Sequence, residues 1–82
     1  MTRRLVECHP GERVMVGEVE GGAARIDKLA SLGVLPGVEL RLQQTRPVVV
    51  VECDETVLAL EREIASDIVV VACEDEVARA AE

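Results

Sequence analysis

The chain has 82 residues, a formal net charge of -7 and no Phe, Tyr or Trp. A chain of this length forms one domain with a small core. Because phosphate groups are bound mainly through Lys and Arg, and bases stack on aromatic rings, this composition argues against nucleic acid and anionic lipid as partners.

The cysteines and the apolar runs indicate a cellular compartment. The chain has three Cys, an odd number, and none of them has C-x-x-C spacing. Arg3-Arg4 is followed by only two apolar residues, which is not the pattern of a signal peptide. No apolar run approaches the ~20 residues of a membrane helix. We therefore expect a cytoplasmic protein with reduced thiols and no direct membrane insertion.

Val dominates the apolar positions, with fifteen Val residues in all. Val fits a pleated, half-buried surface, so the chain is expected to be rich in sheet. Residues 1–10 are expected to be a lead-in, and Gly17 to mark a bulge in the first strand. Alternating or Val-rich segments predict five strands, at Arg13–Glu20, Val38–Gln43, Val48–Cys53, Thr56–Leu60 and Ile68–Cys73.

One amphipathic helix is predicted at Ala23–Leu32, after the loop Gly21-Gly22. Gly33 stands where a left-handed residue would close the helix. Apolar residues at helical spacing are expected to face the core, namely Ile26, Leu29 and Ala30.

The remaining connections are short. Pro36-Gly37 suits the centre of a type II turn, because Gly adopts positive φ without steric cost. Three further elements are predicted: a tight hairpin turn at Asp54-Glu55, one helical turn at Glu61–Ser66, and a frayed helix in an acidic tail, residues 74–82. The whole is expected to be a single mainly-β domain with its core in residues 5–71. The architecture predicted is a small closed or nearly closed barrel of about five strands with one short helix.

Cys8-His9 is the most suggestive pair for chemistry, because thiolate and imidazole bind transition metals. Two adjacent ligands make only half a site, and Cys53 or Cys73 would have to converge on them. Free Cys also behaves as a small buried hydrophobe, which is the simpler interpretation of Cys53 and Cys73. No catalytic pattern is present, and Gly21-Gly22 lacks the rest of a phosphate-binding motif.

The arrangement resembles the FeoA family, the small cytoplasmic component of bacterial ferrous iron uptake. The segments that carry the resemblance are Glu20-Gly21-Gly22, Leu32-Gly33-Val34-Leu35-Pro36-Gly37, Pro47-Val48-Val49-Val50 and Glu63-Ile64-Ala65. The most specific of these is the Leu-Gly-x-x-Pro-Gly element. The resemblance covers roughly residues 5 to 71. The connection from Gln43 to Arg46 is shorter than the hairpin that the family often has.

The resemblance implies an SH3-like barrel with no enzyme activity and no cofactor of its own. It also implies a role beside the membrane ferrous iron permease FeoB, through that protein's cytoplasmic GTPase region. The same domain type occurs fused to metal-dependent repressors of the diphtheria toxin repressor type, but this chain carries no helix-turn-helix region. Leu32, Val34 and Leu35 are then the first candidates for the partner-facing surface, wherever they are exposed. If all three are buried, the segment is scaffold and the contact lies elsewhere.

Two alternatives to the permease-binding module stay open at this point. The first is a carrier or sensor that binds ferrous iron or another transition metal through Cys8 and His9. The second is a homo-oligomer in which a Val-rich strand edge pairs between chains, since the chain has few Lys residues to protect such an edge.

Overall fold

A computed structural model describes residues 2–73, which form one antiparallel sheet with two helices and a 3-10 turn at Leu5–Glu7. The strands, in chain order, are β1 (Thr2–Arg4), β2 (Arg13–Val19), β3 (Glu39–Gln44), β4 (Val49–Cys53), β5 (Thr56–Leu60) and β6 (Ile68–Ala72). The helices are α1 (Ala23–Ser31) and α2 (Arg62–Ala65). The mainly-β fold with one short helix is confirmed. The predicted helix in residues 74–82 lies outside the described residues.

The strand order in the sheet is β1-β6-β2-β3-β4-β5. Within residues 2–73 the last strand, β6, therefore lies between the first two, which leaves β1 and β5 as the edges. The register of β2 against β6 shifts between Val16 and Glu18, which confirms the bulge predicted at Gly17.

The sheet has six strands rather than the expected five, because part of the lead-in pairs with β6. Arg3 lies opposite Val70 in this antiparallel pair. Thr2–Arg4 has only three residues, two of them charged, so it carries no alternation that a sequence pattern could reveal. Strand β1 forms because β6 offers a free edge, and not because of its own residue preferences.

The core contains no aromatic ring and consists of Leu, Ile, Val, Ala and Cys side chains. Its largest fully buried members are Leu5, Leu29, Leu40, Leu42 and Ile68. Within residues 2–73 no polar or charged residue is buried, and no buried side-chain nitrogen or oxygen lacks a hydrogen bond. The charged side chains therefore lie on the outer surface.

Helix α1 rests on this core through one residue. Leu29 is 1% exposed, whereas Ile26 is 40% exposed. The expectation that Ile26 faces the core is wrong, because one nine-residue helix at the side of a small sheet cannot bury its whole apolar stripe.

Candidate functional site

The helix–turn segment, defined as residues 21–37, carries the most specific part of the sequence pattern. Its helix ends in a Schellman motif. The Gly33 N–H donates to the Ala30 carbonyl at 3.0 Å, and the Val34 N–H donates to the Leu29 carbonyl at 2.8 Å. Gly33 has φ +95°, the left-handed conformation that this motif needs at the residue after the cap. The predicted role of Gly33 is confirmed.

The turn that follows is fastened to strand β2. The Val38 N–H donates to the Leu35 carbonyl at 3.1 Å, which closes a four-residue turn with Pro36 and Gly37 at its centre. Gly37 has φ +91°, as a type II turn requires at that position. The Gly37 N–H also donates to the Val16 carbonyl at 2.7 Å. The predicted positive φ of Gly37 is confirmed, and the turn is held by backbone bonds on both sides.

At the start of the segment, Gly21 lies close to the ion pair formed by Arg25 and Asp67. Gly21 has φ +99°, and a Cβ at this position would lie 2.8 Å from Oδ2 of Asp67. That oxygen accepts a hydrogen bond from Nη1 of Arg25 at 2.5 Å. The Glu20 N–H also donates to the Asp67 carbonyl at 2.7 Å. Gly21 is therefore favoured by its backbone angle, and a Cβ there would displace the Asp67 carboxylate, whereas Gly22 (φ +92°) has open space around it.

The three candidate partner-facing residues do not lie on one side of the segment. Leu32 is 41% exposed and Leu35 is 44% exposed, but Val34 is fully buried. The assignment of Val34 to an exposed surface is wrong. Val34 is the residue two after the helix cap, and in a Schellman motif that residue packs back on the last turn of the helix, here at Leu29. The helix–turn segment therefore exposes Leu32 and Leu35, together with Ile26.

The structure places Cys8 and His9 in opposite surroundings. Cys8 is 3% exposed, and its Sγ lies 3.6 Å from the Arg4 carbonyl oxygen, to which the thiol donates. Burial raises the pKa of the Cys8 thiol, so the metal-binding thiolate form is disfavoured. The His9 side chain is 82% exposed, and its Nδ1 lies 3.3 Å from Oε2 of Glu12. The Cys8 thiol therefore lies in the core, whereas the His9 imidazole lies in solvent.

The other cysteines do not complete a metal site. Cys73 is buried and Cys53 is half-buried. Among the residues from Thr2 to Cys73, no group of three or more His, Cys, Asp or Glu side chains is placed to hold a metal ion.

Glu12 organises the loop before β2, although no sequence motif singled it out. Its carboxylate accepts hydrogen bonds from both terminal nitrogens of Arg3, at 2.6 and 3.2 Å, and from the His9 N–H at 2.6 Å. The hydrogen bonds from Arg3, with a smaller contribution from His9, lower the pKa of Glu12 to about 2. The only signal in the sequence is the turn around Gly11, which brings the loop back towards β1.

A shallow concavity of about 490 Å³ lies beside Gly11 and Asp54 on the outer face of strands β2 to β4, and it is lined mainly by charged residues. Arg13 there donates through Nε to Oε2 of Glu39 at 2.7 Å. Such cross-strand pairs are ordinary on the wet face of a sheet. The lining residues are Arg, Asp, Glu and Gly, with no Ser, Thr, Cys, His or Lys among them.

The FeoA domain model matches residues 3–72. The chain belongs to the FeoA family. Membership implies an involvement in ferrous iron transport. The family is not known for enzyme activity. No curated protein gives a significant match. Among the described residues no helix is long and apolar enough to cross a membrane.

Solved structures support the same fold. An iron uptake regulatory protein, FeoA, is 24% identical with a TM-score of 0.81, covering 87% of this chain and 96% of that chain. The FeoA protein from Chlorobium tepidum is 27% identical with a TM-score of 0.79, covering 87% of this chain and 70% of that chain. A manganese-dependent transcriptional repressor matches at 24% identity and a TM-score of 0.80, over 87% of this chain but only 41% of its own length. The predicted SH3-like barrel is confirmed, with six strands.

Proposed function

We propose that this FeoA-family chain is a non-enzymatic, cytoplasmic accessory module of ferrous iron uptake. It binds the cytoplasmic region of the FeoB-type permease, and the contact is made by the exposed side chains of the helix–turn segment. The observation that carries the proposal is the family match over residues 3–72. The structure adds a surface suited to the task, because Leu32 and Leu35 are exposed at the part of the chain with the most specific pattern.

The geometry of the segment favours a preformed contact. Gly33 and Gly37 are both fixed by backbone hydrogen bonds, so the loop between them loses little conformational freedom when a partner binds. Each exposed Leu already has more than half of its surface covered, so burying the remainder contributes about 1 kcal/mol per side chain. Two such residues give a modest contact, which suits a regulatory partner more than a permanent subunit.

The experiment is a binding titration of the purified chain against the cytoplasmic region of the permease, with ferrous iron and nucleotide varied. The double variant Leu32→Ser, Leu35→Ser is expected to weaken binding about tenfold or more, as about 2 kcal/mol of apolar burial is lost. A matched control is Val57→Ser, which removes an exposed apolar side chain from strand β5.

The possible outcomes test two points separately: whether the permease region is the partner, and whether the helix–turn segment is the contact surface. Absence of binding by the parent chain at high micromolar concentration overturns the proposed function. Binding that is unchanged in the Leu double variant but lost in Val57→Ser overturns the assignment of the surface and moves the contact to β5.

A further inference from the structure

Strand β5 is an uncovered edge of the sheet. It pairs with β4 on one side, and no other element of residues 2–73 runs alongside it. The opposite edge, β1, is protected by its length of three residues and by two Arg side chains. Thr56–Leu60 has five residues and contains no charge and no Pro. Among the two edges, β5 is therefore the one suited to pairing with another strand.

The direction of each backbone group in β5 follows from hydrogen bonds elsewhere in the sheet. The Leu42 N–H donates to the Glu12 carbonyl at 2.9 Å, and the Leu42 carbonyl accepts from the Gly11 N–H at 2.8 Å. Leu42 in β3 thus directs its backbone groups towards β2, and its neighbour Arg41 directs them towards β4. Successive residues of a strand alternate in this way.

The same alternation in the direction of the backbone hydrogen-bonding groups continues through β4 into β5. Arg41 lies opposite Glu52, so Glu52 bonds to β3 and not to β5. Val57 lies opposite Glu52 in the next pair, and Ala59 lies two residues further on. The N–H and C=O groups of Val57 and Ala59 therefore point away from the sheet, whereas those of Leu58 point towards β4.

The side chains at this edge are accessible as well. Val57 is 57% exposed, which is the highest exposure among the exposed large hydrophobic residues of the described chain. Ala59 is also exposed, on the same outer face, while Leu60 points into the core. An added strand would meet a valine beside an alanine, together with two donors and two acceptors that no other strand of residues 2–73 uses.

Both ends of β5 carry unpaired negative charge. Residues 52–63 contain five acidic side chains and one basic side chain, Arg62, which is bonded to the Thr45 carbonyl. Within residues 2–73, no ion pair is formed by the carboxylates that flank β5, which are Asp54, Glu55, Glu61 and Glu63. Four carboxylates elsewhere in residues 2–73 pair with arginine, namely Glu12, Glu20, Glu39 and Asp67, whereas the four at the two ends of β5 lie along one edge of the sheet without such a pair.

This charge argues against the two-fold pairing of two copies that would join the outward groups of Val57 to those of Ala59. In a two-fold antiparallel pairing centred on Leu58, Val57 would exchange hydrogen bonds with Ala59 of the other copy. The same register would place Glu55 opposite Glu61 at each end. Like charges placed directly opposite each other destabilise a strand pair.

We propose that the β5 edge binds an extended peptide segment with small apolar residues at its centre and Lys or Arg on both sides. The peptide adds a strand to the sheet through the outward backbone groups of Val57 and Ala59. Its basic flanks meet the unpaired carboxylates at the two ends of β5. Main-chain bonds supply affinity in this mode of recognition, and the alternate side chains and charges supply selectivity. The inference does not depend on which protein contributes the segment.

The test uses the full 82-residue chain, labelled with ¹⁵N, and the synthetic peptide Lys-Lys-Val-Thr-Val-Thr-Val-Lys-Lys with blocked termini. Amide exchange is followed by NMR with and without peptide. With about nine-tenths of the protein bound, exchange at Val57 and Ala59 is expected to slow about tenfold, because it then proceeds only from the free fraction. Leu58, already bonded to β4, is expected to change little.

Matched controls separate strand addition from charge attraction. A peptide with N-methyl groups on the residues that face β5 keeps its charge and is expected not to protect Val57 or Ala59. A peptide with Glu in place of Lys is expected not to bind. Ala59→Pro removes one outward N–H at an edge position that tolerates Pro, and Ala59→Ser keeps it, so only the Pro variant should lose binding. Val57→Lys, which leaves every backbone group in place, is expected to weaken binding of the basic peptide.

Three results would overturn the proposal. Equal binding of the N-methylated peptide would show that charge alone is responsible. Protection or shift changes confined to α1 would place the peptide elsewhere. A concentration-dependent dimer in sedimentation, with Val57 and Ala59 protected in the absence of peptide, would make a second copy the occupant.

Discussion

Replacement of Gly37 tests how far the helix–turn segment is determined by backbone angle alone. Gly37 has φ +91°, and a Cβ built on it meets no atom within 4 Å. An added Cβ therefore causes no steric overlap, and its effect comes from holding an L-residue in a conformation that costs about 1–3 kcal/mol. We expect Gly37→Val to lower the free energy of unfolding by about that amount.

The structure also sets an upper limit on this loss. If the strain exceeds the value of the hydrogen bonds that hold the turn, the turn will rearrange. Those bonds are Gly37 N–H to the Val16 carbonyl and Val38 N–H to the Leu35 carbonyl, each contributing about 1 kcal/mol. Straining the backbone at Gly37 and losing these two hydrogen bonds have similar costs. A loss of stability far above about 3 kcal/mol is therefore not expected from this position.

A series at Gly37 separates strain from side-chain size. Gly37→Asn should cost less than Gly37→Ala, because Asn adopts left-handed angles more readily, and Gly37→Val should cost most. The matched control is Gly17→Ala, where φ is not positive and the added Cβ would be 3.5 Å from the Val69 carbonyl oxygen, an ordinary contact. The control should change stability by less than about 0.5 kcal/mol.

The assay is urea or thermal unfolding followed by far-ultraviolet circular dichroism, because the chain has no Trp or Tyr for fluorescence. For a domain of this size, 1 kcal/mol corresponds to about 4–8 °C in Tm. Equal stability of Gly37→Ala and the parent, or a Gly37→Asn variant as unstable as Gly37→Val, would refute the reasoning.

Two further predictions concern the loop before β2. The pKa of Glu12 is lowered from its ordinary value of 4.5 to about 2 in the folded chain. The ionised carboxylate therefore contributes fully to folding stability above pH 4.5, and this contribution is lost as pH falls from 4.5 through about 2. Because Glu12 and Arg3 are each about one-third exposed, we expect this ion pair to contribute about 1 kcal/mol to the free energy of unfolding. Acid titration of stability should therefore show the parent losing its advantage over Glu12→Gln below pH 4.5, and a constant difference would contradict this. In anaerobic titration with ferrous iron or zinc, the double variant Cys8→Ser, His9→Ala should bind as the parent does, and loss of micromolar binding would restore that pair as a metal site.

The sequence predicted those parts of the fold whose cause is local. Gly33 and Gly37 need positive φ, and no other residue adopts it as readily, so their roles are visible without a structure. The alternation of Leu40 and Leu42 with polar residues fixed which face of β3 is buried. Such features depend on residues that are close together in the sequence.

What the sequence did not predict depends on distant partners. Strand β1 has no pattern of its own and exists because β6 lies beside it. The burial of Val34 was predictable in principle, because a Schellman motif ending at Gly33 places the next residue against the last turn of the helix. The exposure of Ile26 was not, because it depends on how much of α1 the curled sheet can cover.

The strand order decides which surfaces are left for partners. Because β6 lies between β1 and β2, it is internal, and β5 is an edge of the sheet that residues 2–73 form. The ion pairs Arg4–Glu20 and Arg25–Asp67 then fall on the part of the surface near α1 and β6, where they neutralise the acidic side chains. Within residues 2–73 no arginine forms an ion pair with the carboxylates that flank β5, so this edge of the sheet is acidic. A partner that meets the helix–turn segment therefore meets exposed leucines, whereas one that meets β5 must carry positive charge. The Val57→Ser and Leu32→Ser, Leu35→Ser variants distinguish these two kinds of partner.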